Sequence, residues 1–496
     1  MAFQNPIIRG APGDDHGDPF IVRYLDSYFL YHTGETSGRR GVSVHRSADL
    51  VEWEFQGFAL EAAETGWAWS DLWAPEVVYE RGTFYMYVSA ARRRPGRRLS
   101  RWDEGAGDDR GRHVGVARST TPLGPFVWDD VPLVDSWSID AHPFRDDDGT
   151  LWLFYNTRNE LTCYPDGTPG TAIVADRLLA PDRLQLRPRP TVSPSQRWEG
   201  NREGDFYWNE APYVLKRRGV YHLMYSGGHF RDETYGIGLA RAPSAVGPWT
   251  KLPENPIVAG TAEIAGPGHH SFVFGADAAS RYAVYHGYVP GDSGRKVHLD
   301  RMRWVGDRPL VIGPTHDEQS HPPQPVHDEA VPHWVAETWA RGSWIDVHGR
   351  RFELEQTDVW HQVEVEHSDG RTSTRIGGVL RASYPSEDAR VGPQFGGDCE
   401  FGPTTVSTCG TDPGLRDLPA RSTYVWRWGG STAVELALAV RGDVTVRVGD
   451  AGVESHGDAA NFRLVELTAP RGGATIVVEA GAGGAAVTDV VACARA

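Results

Sequence analysis

An all-β fold, a five-bladed β-propeller followed by a C-terminal β-sandwich, is what this sequence predicts, on three observations. A strand-rich unit recurs through the first two thirds of the chain, and no amphipathic helical pattern persists there. The last third alternates apolar and polar residues between glycine-rich turns.

The repeat is visible in GVSVHRSADLVEW from Gly41, HVGVARSTTPLGPF from His113 and YGIGLARAPSAVGPW from Tyr235. Each is an alternating strand that ends in Arg-Ser or Arg-Ala, followed by a polar turn and an aromatic residue. Strand pairs precede them, in DPFIVRYLDSYFLYHTG, APEVVYERGTFYMYVSA and EAPYVLKRRGVYHLMYSGG, with further matches in DAHPFRDDDGTLWLFYNT and HHSFVFGADAASRYAVYHGY. The expected hairpin turns are Arg81-Gly82, Asp148-Gly149 and Arg218-Gly219. The units begin near Asp18, Glu76, Asp140, Glu210 and His269, a spacing of roughly 60 to 70 residues that suits a four-stranded blade with its loops. The propeller is placed at residues 1–315. A segment rich in His, Pro and Glu, residues 316–339, reads as a linker. Residues 340–496, with FELEQTDVWHQVEVEH and AVELALAVRGDVTVRVGD, read as a β-sandwich accessory domain with no catalytic constellation of its own.

Composition narrows the function. The 496 residues carry a formal net charge of −16, which repels nucleic acid and anionic membrane. The one basic run, Arg92 to Arg101, is broken by Pro95 and Gly96 and reads as a solvated loop. No apolar stretch is long enough to span a bilayer. MAFQNPIIRG has neither a basic nor an apolar leader region, so the expected location is cytoplasmic, or secreted if a leader has been trimmed away. Cys399 and Cys409 are close enough in sequence to be bridged, whereas Cys163 and Cys493 look unpaired. The 18 Trp fit a large β core, with some left over for surfaces on which sugar rings stack.

Propeller blades bring the start of each innermost strand to one axis. Those positions hold Asp18 in HGDPF, Glu76 in WAPEV, Asp140 in SIDAHPF and Glu210 in WNEAPY, with His269 and His270 in GPGHHSF. Crowded carboxylates in an enclosed site push their pKa values apart, so one stays ionised while another stays protonated. Cleavage of a glycosidic bond needs that division between base and acid. For Glu76 a second reading is equally open, that of a group holding loops together by accepting backbone N–H bonds.

Taken in order, HGDPF, DLWAPEV, SIDAHPF, NEAPYVLKRRGVYHLMYSGG and GPGHHSF resemble glycoside hydrolase family 43, over the chain to about Thr315. The resemblance implies a five-bladed propeller and an inverting glycosidase with a carbohydrate as its partner. It implies that Asp18 is the general base, Glu210 the general acid, and Asp140 the carboxylate that orients the acid and raises its pKa. It further implies that Trp73 walls the pocket, that Arg295 contacts substrate, and that His269 stands on the axis, where some relatives bind calcium or water. No cofactor is required, and a calcium ion on the axis is the one metal to consider. The segments Ala91 to Arg112 and Asn159 to Asn209 are expected to close the channel mouth into a pocket for exo action, with Trp69 and Trp137 lining it and Trp137 binding substrate. Ala211 replaces the usual Gly after the acid, and Ala141 a common Pro. The RDP and Glu-Cys motifs of fructan-cleaving propellers are missing. The commonest family activities make α-L-arabinofuranosidase or β-xylosidase the leading expectation. β-Galactofuranosidase, galactosidase and a non-catalytic sugar-binding propeller are the alternatives.

Overall fold

The computed structural model describes residues 2–322 apart from 25–26, 34–40, 64–65, 81–82, 93–110, 147–149, 160, 218, 276–280 and 306–307. Beyond 322 it describes strand segments between 333 and 494, with side chains only within 438–486.

The repeat becomes five antiparallel sheets in chain order, each starting with its innermost strand. Blade 1 comprises Gly17–Tyr24, Ser27–Thr33, Gly41–Ser47 and Glu54–Glu61. Blade 2 comprises Ala68–Glu80, Thr83–Arg92, Arg112–Ser119 and Val127–Trp128. Blade 3 has Ser138–Arg145, Leu151–Thr157 and Ala172–Ala180, with both Arg183–Leu184 and Arg189–Val192 on the third strand. Blade 4 comprises Glu210–Arg217, Val220–Gly227, Gly236–Ala242 and Thr250–Lys251. Blade 5 comprises Ala265–Phe274, Arg281–Tyr288, Lys296–Val305 and Arg308–Ile312.

The segment Asn159 to Asn209, expected to be one long loop, instead contains the outer strands of blade 3, because IVADRLL has the alternation of a strand. Its described ends, 158–159, 161–171 and 193–209, stay outside those strands. The turns Arg81-Gly82 and Asp148-Gly149 and the segment 93–110 lie outside the described residues, as do Cys399 and Cys409. Cys163 is a free thiol.

Each strand buries one row of side chains against the preceding blade and one against the following blade, so both faces are apolar. Among the described residues the core of the propeller accordingly divides into five clusters, one per blade interface. Phe20, Tyr31, Phe84 and Met86 join blades 1 and 2. Tyr87, Val116, Leu153 and Val174 join blades 2 and 3. Phe154, Ile173, Leu223 and Tyr225 join blades 3 and 4, and Met224, Ile237, Phe272 and Tyr285 join blades 4 and 5. Ile21, Leu30, Val273 and Val284 close the ring between blades 5 and 1.

The N-terminal segment seals that last seam. Ala2–Phe3 pairs with Gln319–Ser320, past the expected end of the propeller at 315. The fully buried Asn5 side chain donates to the carbonyls of Leu299 (3.0 Å) and Thr315 (2.9 Å) and accepts from Leu299 N–H (2.8 Å). The C-terminal strands form a seven-stranded, a five-stranded and a two-stranded antiparallel sheet. The largest one docks on the propeller: Phe462 and Ala486 pack on Leu310 and Ile312 of blade 5. Asn461, buried, exchanges 3.0 Å hydrogen bonds with the backbone N–H and carbonyl of Ala259. Among the described residues no helix is long and apolar enough to cross a membrane.

The core also holds buried histidines. His16, His32 and His45 form a cluster in and beside blade 1, with ring centroids 4.8 Å (His16 to His32) and 5.3 Å (His32 to His45) apart. His270, His286 and His298 lie in blade 5. Burial, followed for most of them by charged or histidine neighbours, pushes these groups down to about 4 for His16 and His286. It pushes them to about 3 for His32, His45, His270 and His298. They stay neutral in the folded chain where the unfolded chain takes up protons, so their contribution is complete above pH 6.5 and is lost as pH falls below it. Each removes about 1.4 kcal/mol per pH unit in that window. Asp140 and Asp300, raised to about 6 and 7, pull the other way but are fewer. The urea midpoint of unfolding should therefore fall steeply between pH 6.5 and 4.5, and a flat profile over that range would refute the neutral histidines.

Candidate active site

The site is built from one backbone device repeated in every blade. Where the innermost strand pairs with the second, two of its residues face one on the partner: Asp18-Pro19, Ala74-Pro75, Asp140-Ala141, Ala211-Pro212 and His269-His270. The first residue of each bulge is left-handed, with φ of 56°, 51°, 55°, 49° and 48° in that order. Non-glycine residues rarely adopt that conformation and keep it only where their surroundings enforce it. Here the enforcement comes from the preceding blade. Asp18 N–H donates to His286 Nδ1 (3.1 Å), Ala74 N–H to Thr33 Oγ1 (2.7 Å), Asp140 N–H to Ser89 Oγ (3.1 Å) and His269 N–H to Ser226 Oγ (2.8 Å). All four acceptors stand at the same register position of their second strands, opposite the residue before the bulge. Blade 4 is the exception. Ala211 N–H donates to Asp140 Oδ2 at 3.1 Å, and Asn156, which holds the equivalent position, is fully buried with its side-chain amide unpartnered.

This register corrects the equivalence expected from the repeat. Asp18, Asp140 and His269 share one position, and Glu210 stands one residue before it. Glu76 stands two residues after it, level with Phe20, His142 and Tyr213, and so deeper in the channel. There Glu76 acts as a brace. Val214 N–H donates to His142 Nε2 (3.0 Å), which puts the ring proton on Nδ1, and Nδ1 donates to Glu76 Oε2 (2.8 Å). Blades 2, 3 and 4 are tied through that one imidazole.

The structure brings Asp18, Asp140, Glu210, His269 and Arg295 together. Arg295 is held by Asp15 on two sides, Nε to Oδ1 at 2.9 Å and Nη2 to Oδ2 at 2.6 Å, and its Nη1 donates to Asp18 Oδ1 at 2.8 Å. The Phe230 ring lies 5.1 Å from the guanidinium carbon. Gly17 makes room for the group, since a Cβ there would lie 1.8 Å from Arg295 Cζ. His269 Nδ1 is 3.2 Å from Asp18 Oδ1 and 4.0 Å from Asp140 Oδ2. Burial pushes the Asp18 carboxyl up, but the charges of Arg295 and His269 outweigh it and hold Asp18 well below the usual carboxylate range. Asp140 has no arginine partner among the described residues, and burial lifts it to about 6, with His269 opposing the rise and Asp18 adding to it. Two carboxylates a few ångströms apart thus titrate in separate ranges.

Glu210 Oε1 accepts a 2.8 Å hydrogen bond from the Tyr235 hydroxyl. The Tyr235 ring stacks on His286, 5.5 Å between centroids and 4° from parallel. Gly268 leaves space for it, because a Cβ would fall 2.2 Å from Tyr235 Cε1. The loop leading into Glu210 is pinned by a buried ion pair between Lys251 and Glu199, and Lys251 Nζ also donates to Asn209 Oδ1 at 2.8 Å. Asp15, Gly17, Tyr235 and His286 were not singled out in the sequence. Asp15 and Gly17 stand beside Asp18 in DDHGDPF, whereas Tyr235 and His286 arrive from distant strands with no local signal.

Trp73, just before its bulge, is half-buried with the Arg112 guanidinium 4.1 Å from its ring. Trp137 is half-buried next to the start of the blade 3 inner strand, and Trp69 lies in that of blade 2. A row of rings, Phe206 to Trp208 (4.4 Å), Trp208 to His229 (5.1 Å) and His229 to Phe230 (5.3 Å), leads from the 193–209 loop to Arg295. Calcium takes six to eight oxygens. His269 instead presents a nitrogen at hydrogen-bond range from Asp18, and among the described residues no three His, Cys, Asp or Glu converge on an ion. The donor set does not fit a calcium held by protein oxygens.

The model of glycosyl hydrolases family 43 matches residues 3–309. The chain is 28% identical to beta-D-galactofuranosidase xynD of Aspergillus niger, over 60% of this chain and 81% of that one. It is 24% identical to the extracellular exo-alpha-(1->5)-L-arabinofuranosidase ArbA of Cellvibrio japonicus, over 60% and 86%. Among solved structures, a thermostable family-43 glycoside hydrolase superposes with a TM-score of 0.56 at 33% identity, covering 65% of this chain and 99% of that one.

Two outcomes are expected from this geometry. In Gly17→Ala the new methyl displaces Arg295, so kcat should fall at least about tenfold through misalignment of Asp18; unchanged kcat would mean that Arg295 does not position Asp18. Asp140 is raised, so the folded chain binds the extra proton between about pH 4 and 6 and carries a buried charge above that. Asp140→Asn should lower kcat on the order of 100-fold and gain up to about 3 kcal/mol of stability at pH 7.5, a gain that shrinks to about 1 kcal/mol at pH 4.5. Equal stability changes at both pH values would contradict the raised carboxyl.

Proposed function

This chain belongs to glycosyl hydrolase family 43, and from that membership we propose an inverting, exo-acting glycosidase that removes terminal pentose units, as an α-L-arabinofuranosidase, a β-xylosidase or both. Asp18, kept ionised by Arg295, takes the proton of the attacking water. Glu210 protonates the departing glycosidic oxygen, and the Tyr235 hydroxyl fixes the carboxyl so that its other oxygen faces the substrate. Asp140, bonded to the N–H that follows Glu210, holds the acid in register. The observation that carries the reading is the split between Asp18 and Asp140, well below the usual range and at about 6, within one cluster of buried carboxylates. The ring row from Phe206 to Phe230 supports a walled site that receives a chain end.

A second reading is favoured by the name of the Aspergillus relative, a β-D-galactofuranosidase. L-Arabinofuranose and D-galactofuranose share their ring configuration and differ in the exocyclic carbon chain, so one furanose pocket accommodates either according to its depth.

Nitrophenyl α-L-arabinofuranoside, β-D-xyloside and β-D-galactofuranoside should separate these readings, with Asp18→Asn inactive on all of them. Glu210→Gln should lose about 100- to 10,000-fold on natural disaccharides and far less on nitrophenyl glycosides, whose leaving group needs little protonation. Equal losses on both substrate types would remove Glu210 as the acid. Chelator should leave the rate unchanged if His269 acts on Asp18 directly through their 3.2 Å approach; a loss restored by calcium would assign it to an ion.

A further inference from the structure

We propose that the outer edge of blade 3 carries a second carbohydrate site, one that takes a uronic acid residue through its carboxylate. The place is a cleft of about 330 Å³ lined by Thr150, Trp152, Arg177, Gln185, Arg187 and Arg189. It is remote from the carboxylates of the channel. The inner strand of blade 3 runs from Ser138 at the mouth to Arg145, and the cleft lies beside the far end, where Arg145 pairs with Leu151. At roughly 3.3 Å per residue that is about 20 Å away.

The cleft has a rigid frame. Trp152 and Arg177 are direct cross-strand partners. Asp176, next along that strand and fully buried, spends its carboxylate on backbone: Oδ1 accepts from Arg177 N–H at 2.8 Å and Oδ2 from Arg187 N–H at 2.9 Å. Gln185 N–H donates to Arg177 carbonyl at 2.8 Å. Leu186 between them is left-handed, with φ of 60°. The turn is thereby folded back over the strand, so that Gln185 and Arg187 join Arg177 at one rim.

Charge decides what the rim is for. The chain carries a net charge of −16, and several arginines elsewhere on the propeller are matched by carboxylates, Arg118 with Asp129, Arg145 with Glu80, Arg202 with Glu233 and Arg308 with Glu254. Arg177, Arg187 and Arg189 are exposed and enter no ion pair among the described residues. Three guanidiniums with no carboxylate partner among the described residues, set around a half-buried indole, form an anion site with an apolar floor. The planar fork of arginine matches a carboxylate in bidentate geometry, and the indole face takes the C–H side of a pyranose ring. Gln185 and Thr150 add polar groups for hydroxyls. A free phosphate has no use for the indole, and a nucleic acid is repelled by the overall charge. The ligand class rests on the glycosidase reading: an acidic polysaccharide anchored here keeps its neutral branch ends close to the enzyme.

The test is calorimetric titration of the full chain with trigalacturonate, xylotriose and inorganic phosphate, beside Arg177→Ala/Arg187→Ala. Trigalacturonate should bind, with Kd raised at least tenfold in the double variant and at least tenfold by 0.5 M NaCl, while xylotriose binding is the same in both proteins. Both arginines are exposed, so the variant should keep the thermal midpoint of the parent and its rate on nitrophenyl glycosides. No trigalacturonate binding, equal affinity in the variant, or displacement by an equal concentration of phosphate would overturn the site, the last reducing it to an adventitious ion only. Binding is read without turnover. Loss of binding in the variant of a protein that hydrolyses no glycoside would keep this site and remove the glycosidase reading, and the reverse result would do the opposite.

Discussion

At the head of every inner strand, two residues occupy the space of one, and the first is turned into the left-handed region. The conformation is unfavourable for a residue with a side chain, and a polar group from the preceding blade stabilises it by accepting the freed N–H. Because the bulge recurs in each blade, it aims Asp18, Asp140 and His269 at one axis and lets Glu210 approach from one position earlier. The blade interfaces set the radius of the channel through their apolar clusters, and the bulges set what points into it. In blade 4 the two functions merge, since the acceptor that stabilises the bulge is Asp140 itself.

Electrostatics then separates groups that geometry makes equivalent. Asp18 and Asp140 have the same backbone conformation and nearly the same burial, 8% and 7% exposed. Arg295 reaches only Asp18, because Gly17 lets the guanidinium lie against the backbone and Asp15 fastens its other side. One buried carboxylate is thereby held in its charged form while its neighbour is left to the desolvation penalty. The asymmetry needed for acid–base chemistry comes from one arginine on a symmetric scaffold.

The edge of the molecule uses the same chemistry to a different end. At the axis Asp15 and Asp18 neutralise an arginine, whereas at blade 3 Asp176 turns its oxygens to backbone and leaves its neighbouring arginines exposed. A carboxylate that shapes a turn cannot also quench the charge that the turn displays.

Much of this was legible in the sequence. The five-fold recurrence, the all-β character and the convergence of carboxylates on an axis follow from period-2 patterning and from motifs that sit at strand starts, which are local properties of the chain. The outer strands of blade 3 were hidden because a short alternating run between polar segments reads as loop. Register was not legible either. WAPEV and WNEAPY look alike, yet Glu76 falls two residues beyond the bulge position and Glu210 one residue before it. A bulge is decided by which side chain of the preceding blade accepts the N–H, so only the assembled ring could make Glu76 a brace. For the same reason Tyr235 on Glu210, Asp15 on Arg295 and the unpaired arginines of blade 3 belong to tertiary structure alone: each depends on groups that are far apart in sequence or on carboxylates already committed elsewhere.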